Sequence, residues 1–191
     1  MKTNFEQDLV SCLAVLREGG VILYPTDTIW GLGGDATDPR VVDRIFHIKK
    51  RDESKSMIVL VADEKEIRKY VADPDPSIFD FLKALSRPTT VIFDGALGLA
   101  PNLIHEDGSV AIRVVQDEFC RHLIKRFRKP IISTSANLST EPPPENFSAV
   151  TAAIKNSVDF VVSYRQQEEQ TSRASAIIRW NRNGVPSVIR D

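Results

Sequence analysis

The sequence predicts an α/β fold built on a twisted mixed sheet with flanking helices. Three observations lead there. Short apolar, β-prone runs recur at 21–24, 57–61, 89–93, 110–115, 131–132 and 158–162. Stretches of helical periodicity stand between most of them. The chain then closes on two strand-like segments, 174–180 and 185–190, either side of Asn183-Gly184, a strong hairpin-turn signal. Alternation followed by a hairpin favours a mixed sheet.

In chain order, residues 4–18 read as an amphipathic helix with Phe5, Leu9, Val10, Leu13 and Leu16 on one face. Asn4 is its N-cap, with Gln7 three residues on, and Gly19 its stop. Val21 to Tyr24 is a buried strand that Pro25 ends, and a glycine-rich loop runs on to Ala36. Asp38-Pro39 caps and starts a helix carrying Val41, Val42, Ile45 and Ile48, which runs into Lys49-Lys50-Arg51. Met57 to Val61 is a second strand. Asp63 and Glu66 form a capping box for a helix bearing Ile67, Tyr70 and Val71, and helical spacing restarts at Ile78, Phe79, Phe81, Leu82 and Leu85. After strands at 89–93 and 110–115, Asp117 to Arg128 is a helix with Phe119, Leu123, Ile124 and Phe127 inward. Ile131-Ile132 is a short strand opening into Ser133-Thr134-Ser135-Ala136-Asn137. A helix follows near 147–156, then a strand at 158–162, and the polar segment 165–173 is a mobile loop.

At 191 residues and 42% hydrophobic content the chain suits a single domain spanning 1–191. A formal net charge of −1 rules out a general polycation, so any nucleic-acid contact needs a local patch. Cys12 and Cys120 sit at apolar helical positions as core thiols. His47, His105 and His122 show no metal-ligand spacing, so no structural metal is expected. No apolar run reaches membrane-spanning length and the N-terminus lacks a signal-peptide core, which makes a cytoplasmic protein the expectation.

Three stretches can carry chemistry. Thr26-Asp27-Thr28-Ile29-Trp30-Gly31-Leu32-Gly33-Gly34 puts hydroxyls and backbone N–H groups just past a strand end, as an anion loop would, although a tight turn needs the same residues. Lys49, Lys50, Arg51 and Lys55 make a cationic cluster that is either a solvated helix end or a polyphosphate clamp. Ser133 to Asn137 offers three hydroxyls and an amide, as a cap or as a second ligand loop at the same sheet rim. A serine nucleophile is discounted, because no Gly-x-Ser-x-Gly elbow exists. The basic residues Arg121, Lys125, Arg126, Arg128 and Lys129 read as a solvated face, with a nucleic-acid contact as the lesser alternative.

Taken in order, Tyr24-Pro25-Thr26-Asp27-Thr28-x-x-Gly31-Leu32-Gly33, Lys49-x-Arg51 and Ser133-Thr134-Ser135-Ala136-Asn137 resemble the YrdC-type threonylcarbamoyl-AMP synthases. Pro88-Thr89-Thr90, Ala111-Ile112-Arg113 and Ala174-Ser175 fit further blocks, and the likeness covers roughly 5–190. It implies a YrdC/RibB-like fold with a concave, positively charged ligand face. The implied enzyme joins L-threonine, bicarbonate or CO2, and ATP into threonylcarbamoyl-AMP with release of pyrophosphate, for N6-threonylcarbamoyladenosine in tRNA. Magnesium would accompany the ATP. A transferase complex would take the product, and tRNA or double-stranded RNA could be contacted directly.

By the same resemblance, Lys49, Arg51, Ser135 and Asn137 form the catalytic tetrad. Arg51, Lys55, Ser135 and Arg190 would hold ATP, and Thr28, Arg113, Ser133 and Ser175 would surround L-threonine. The chain departs from the pattern at Ser56, Thr140 and Ala176, where proline, glycine and threonine are usual. Ending at Asp191, it matches the short, single-domain branch. Two other readings stay open: an RNA-binding module of the same fold without catalysis, and a paralogue with another carbamoyl-type substrate.

Overall fold

The structure is a computed structural model describing residues 5–50, 57–169, 173–180 and 185–191. Among the described residues the sheet has nine strands in the order β7-β1-β2-β6-β3-β5-β4-β8-β9. They are β1 (Ile22–Tyr24), β2 (Gly31–Gly33), β3 (Ile58–Val61), β4 (Thr89–Phe93), β5 (Val110–Val114), β6 (Ile131–Ser135), β7 (Phe160–Val161), β8 (Ala176–Trp180) and β9 (Pro186–Arg190). Parallel pairs (β1 with β7, β3 with β5, β4 with β8) stand among antiparallel ones, so the sheet is mixed.

Helices cover both sides. α1 (Glu6–Arg17) and α4 (Glu118–Phe127) pack with Leu23, Leu32, Leu60 and Ile131 into one core. α2 (Pro39–Lys49) and α3 (Ser77–Ala84) pack on Val59, Val61, Val91, Ile112 and Ile132 in the other. The apolar faces that periodicity assigns to α1, α2 and α4 are those that are buried, except that Val10 is 59% exposed. Asp38 caps α2, its side chain accepting from the Arg40 N–H ahead of Pro39. Gly19 closes α1 at φ +75. Cys12 and Cys120 are free and buried, and burial pushes both thiols up in pKa, away from reactivity.

The structure corrects the sequence reading at several places. The stretch after Pro25 is a turn followed by β2, which pairs antiparallel with β1 and with β6, so Gly31 and Gly33 are strand residues rather than loop. They are glycines because a methyl on Gly33 would lie 2.5 Å from Tyr24 Cε1, and one on Gly31 would lie 3.1 Å from the Thr134 carbonyl. Ser133-Thr134-Ser135 is likewise strand. The capping box at 63–66 starts a 3-10 helix, Glu64–Lys69, in which Asp63 accepts from Lys65 N–H and Glu66 from Ala62 N–H.

α5 is only Ala152–Lys155, shorter than the predicted 147–156, and β7 is only Phe160–Val161. Phe5 occupies the N-cap of α1 without a side-chain cap, and Asn4 lies outside the described residues. So does Asn183-Gly184, although the strands it joins pair as expected.

Candidate active site

The register of the central strands builds the site's floor. Ser133 pairs with Ile58, Ile58 with Ala111 and Ala111 with Ile92, giving one row across β6, β3, β5 and β4. Side chains alternate in a strand, so these residues face opposite to Val59, Ile112 and Val91, which α2 and α3 cover. Leu60, two residues along, joins the α4 core. The rest of that face forms the wall of a cavity of about 340 Å³.

The cavity collects most of the predicted site. Thr28 comes from the β1–β2 turn, Arg113 from β5, Ser133 and Ser135 from β6, Ser175 from the lead into β8, and Arg190 from the end of β9. Among the described residues, its wall carries two charged side chains, Arg113 and Arg190. Both are arginines, and they feel each other: burial first, and then the charge of Arg113, lower the pKa of Arg190. Two guanidiniums in one hollow call for an anion. Arg190 also donates to the Ser175 carbonyl through Nη2 (2.8 Å), while Ser175 Oγ meets Thr90 Oγ1 at 2.8 Å. A second cavity, of about 430 Å³, holds Asp73, Asp75, Asp94 and Trp180 but none of the predicted residues, and its charge has the wrong sign for an anion.

Arg113 is 3% exposed. Its Nη2 stands 3.2 Å from Asp27 Oδ1, an ion pair at poor hydrogen-bond angles that leaves Arg113 Nε and Nη2 and Asp27 Oδ1 buried without hydrogen bonds. Asp27 Oδ2 accepts from the Gln116 N–H at 3.1 Å. Thr28 sits in a closed local network: Thr26 Oγ1 lies 2.9 Å from Thr28 Oγ1, 3.0 Å from Thr28 N and 2.9 Å from the Ile29 carbonyl.

Lys49 and Asn137 are elsewhere. Lys49 is fully buried behind β6, and its ammonium donates to the carbonyls of Ser135 and Asn137, the latter at 2.7 Å. The Lys49 carbonyl accepts from Ser139 N–H at 2.9 Å. Asn137 Nδ2 donates to the carbonyls of Leu138 (2.8 Å) and Glu141 (2.6 Å). These two residues tie the 135–141 turn to the end of α2, and neither lines the cavity. Arg51 and Lys55 lie outside the described residues. Ala176, the departure beside Ser175, is buried in β8 off the cavity wall, whereas Ser175 and Ile177 on either side line it.

Sequence reasoning missed the supports of the Thr26–Thr28 turn. Arg165, assigned to a mobile loop, is anchored: Nη1 donates to the Thr26 carbonyl (3.0 Å) and Asp117 Oδ2 (3.1 Å), and Nε to Glu168 (2.7 Å). Asp117 also caps α4 through Cys120 N–H, and burial raises its pKa against those bonds. Arg165 takes a left-handed position, φ +68, and nothing in the sequence announces it. Of the predicted basic helix end, Arg126 pairs with Glu6 and Lys129 with Asp35.

A helix-flanked mixed sheet with a cavity bearing Arg113 and Arg190 on its wall defines the α/β class of this protein. Residues 14–191 match the family model Sua5_yciO_yrdC, described as telomere recombination, and the chain belongs to that family. A threonylcarbamoyl-AMP synthase of Stenotrophomonas maltophilia is 34% identical over 141 residues, 72% of this chain and 76% of that protein. One of Saccharophagus degradans is 31% identical over 185 residues, 96% of this chain and 89% of that one. Among solved structures, P. abyssi Sua5 complexed with L-threonine superimposes with a TM-score of 0.84 at 22% identity, over 97% of this chain and 54% of that chain. E. coli YciO superimposes at 0.82 and 20% identity, over 97% and 89%. The chain thus spans about half the length of the P. abyssi protein and most of YciO.

Proposed function

We propose that this protein is a threonylcarbamoyl-AMP synthase, making its product from L-threonine, CO2 or bicarbonate, and ATP with release of pyrophosphate. The observation that carries this reading is convergence. Thr28, Arg113, Ser133, Ser135, Ser175 and Arg190 come from distant parts of the chain to one cavity, in a family whose relatives carry that name.

The chemistry suits the wall. The amine nitrogen of threonine attacks the carbon of CO2 and sheds a proton. A carbamate oxygen then attacks the α-phosphorus, and the bond to the bridging oxygen breaks as pyrophosphate leaves. Both partners of the second step are anions. Fixed cations and hydroxyls lower their repulsion and hold them in line, which is how positioning and charge stabilisation replace a covalent catalyst. In this reading Arg113 takes the amino acid's carboxylate and Arg190 the nucleotide, with Ser135 on the same wall. Arg51 and Lys55 would add to the phosphate clamp. Among the described residues the cavity wall offers no carboxylate and no acidic or histidine cluster suits a metal. Magnesium would enter with the nucleotide substrate, as its phosphate-bound counter-ion.

The product would pass to a transferase acting on tRNA in the cytoplasm. Among the described residues no helix is long and apolar enough to cross a membrane. The test is pyrophosphate release from ATP that depends on both L-threonine and bicarbonate. A folded protein that releases none with magnesium present would end the proposal.

A further inference from the structure

Thr26 is buried, 3% exposed, and is not on the wall of the arginine-bearing cavity. Its hydroxyl is nonetheless fully engaged, with three polar contacts at 2.9, 2.9 and 3.0 Å. A hydroxyl has one proton and two lone pairs, so each contact can be assigned. The Ile29 carbonyl cannot donate, so the Thr26 proton points to it. The Thr28 N–H cannot accept, so it takes one Thr26 lone pair. Only a lone pair remains for Thr28 Oγ1, and Thr28 must be the donor in that contact. Thr28 thereby commits its only proton to Thr26. What it turns to the cavity is an oxygen with lone pairs alone.

We infer that Thr26 is a positioning residue that locks Thr28 as a pure acceptor, making this corner of the cavity select a substrate group that carries N–H. This deepens the threonine reading and rests on it. Arg113, on the same wall, has donors only. A donor-only and an acceptor-only group facing one hollow have the polarity of an α-amino acid, carboxylate to the first and amine to the second. The match also survives the reaction. An ammonium has three N–H bonds, an amine two and the carbamate one, so the acceptor is satisfied in each state. A hydroxyl free to rotate would accept or donate and would not discriminate.

The experiment compares dissociation constants of L-threonine, 2-aminobutyrate and 2-oxobutyrate, without ATP, for the wild type, T26S, T26V and T28V. The last two ligands differ in offering N–H donors or a carbonyl acceptor. The wild type should prefer 2-aminobutyrate, and T26S should keep that ratio. T26V should narrow it about tenfold, the value of a hydrogen bond made or opposed, with the oxo acid holding or tightening. T28V should narrow it too, and it decides the matter if melting shows T26V unfolded. A wild type without preference overturns the inference. So does T26V weakening both ligands equally, or T28V retaining the ratio. Failure of the wild type to bind L-threonine at all would remove the threonine reading itself, and this inference with it.

Discussion

Lys49→Met separates two roles that the family pattern runs together. The resemblance places Lys49 at the nucleotide, yet the structure puts its ammonium behind β6 on the carbonyls of Ser135 and Asn137. Methionine keeps most of the length and volume and removes the donors. The Asn137 carbonyl, left unpaired, costs about 1–3 kcal/mol, whereas the Ser135 carbonyl keeps the Asn137 N–H at 2.9 Å. Against that, an ammonium need no longer be desolvated, which returns part of the loss. A net destabilisation of about 1–2 kcal/mol follows. For a chain of this size, at roughly 2–4 °C per kcal/mol, melting should fall by about 2–8 °C. Turnover should fall with it, because Ser135 lines the cavity and its carbonyl loses one of its two donors. The assay pairs a thermal melt with threonine-dependent pyrophosphate release. An unchanged melting temperature with abolished turnover would refute the reasoning, since Lys49 would then act on the ligand directly.

Other substitutions test the supports around the site. Gly33→Ala drives a methyl to 2.5 Å from the Tyr24 ring and should cost about 1–3 kcal/mol in denaturant unfolding, with KM values unchanged in the folded fraction. Arg165→Met frees the Thr26 carbonyl and should raise KM for L-threonine about tenfold while leaving that for ATP nearly untouched, as initial rates would show. Asp159→Asn tests the ion pair with Arg44, also bonded by Val21 N–H at 2.8 Å. The hydrogen bond from Arg44 is the main cause holding the Asp159 carboxyl below its usual pKa. A lowered folded pKa means stability that is present above about pH 4 and is lost as pH falls. The gap in melting temperature between wild type and Asp159→Asn should therefore be constant near neutrality and close in acid.

The parts of the fold that were legible are those where local chemistry and tertiary demand agree. Asp38-Pro39 can start a helix anywhere, and the α4 stripe of Phe119, Leu123, Ile124 and Phe127 needs only one apolar neighbour. The misreadings fall where a distant partner decides. Gly31-Leu32-Gly33 has the composition of a loop and becomes a strand because β1 and β6 supply its pairing on both sides. Its glycines answer to the Tyr24 ring and the β6 backbone, neither visible as a spacing.

The site divides in the same way. Its wall residues were found through the resemblance, since hydroxyls and arginines scattered from Thr28 to Arg190 show no local pattern. Thr26 and Asp27 were singled out as part of an anion loop, but the contacts that aim the wall residues were not found: Asp27 beside Arg113, Arg165 on the Thr26 carbonyl and Thr26 on Thr28. A motif records which side chains stand together, but donor and acceptor direction emerges only when every contact of a hydroxyl is known. That is why Thr26 and Thr28, equal in the sequence, part in the structure. Thr26 is saturated by three contacts, and Thr28 keeps two lone pairs, the acceptors that the proposed role requires.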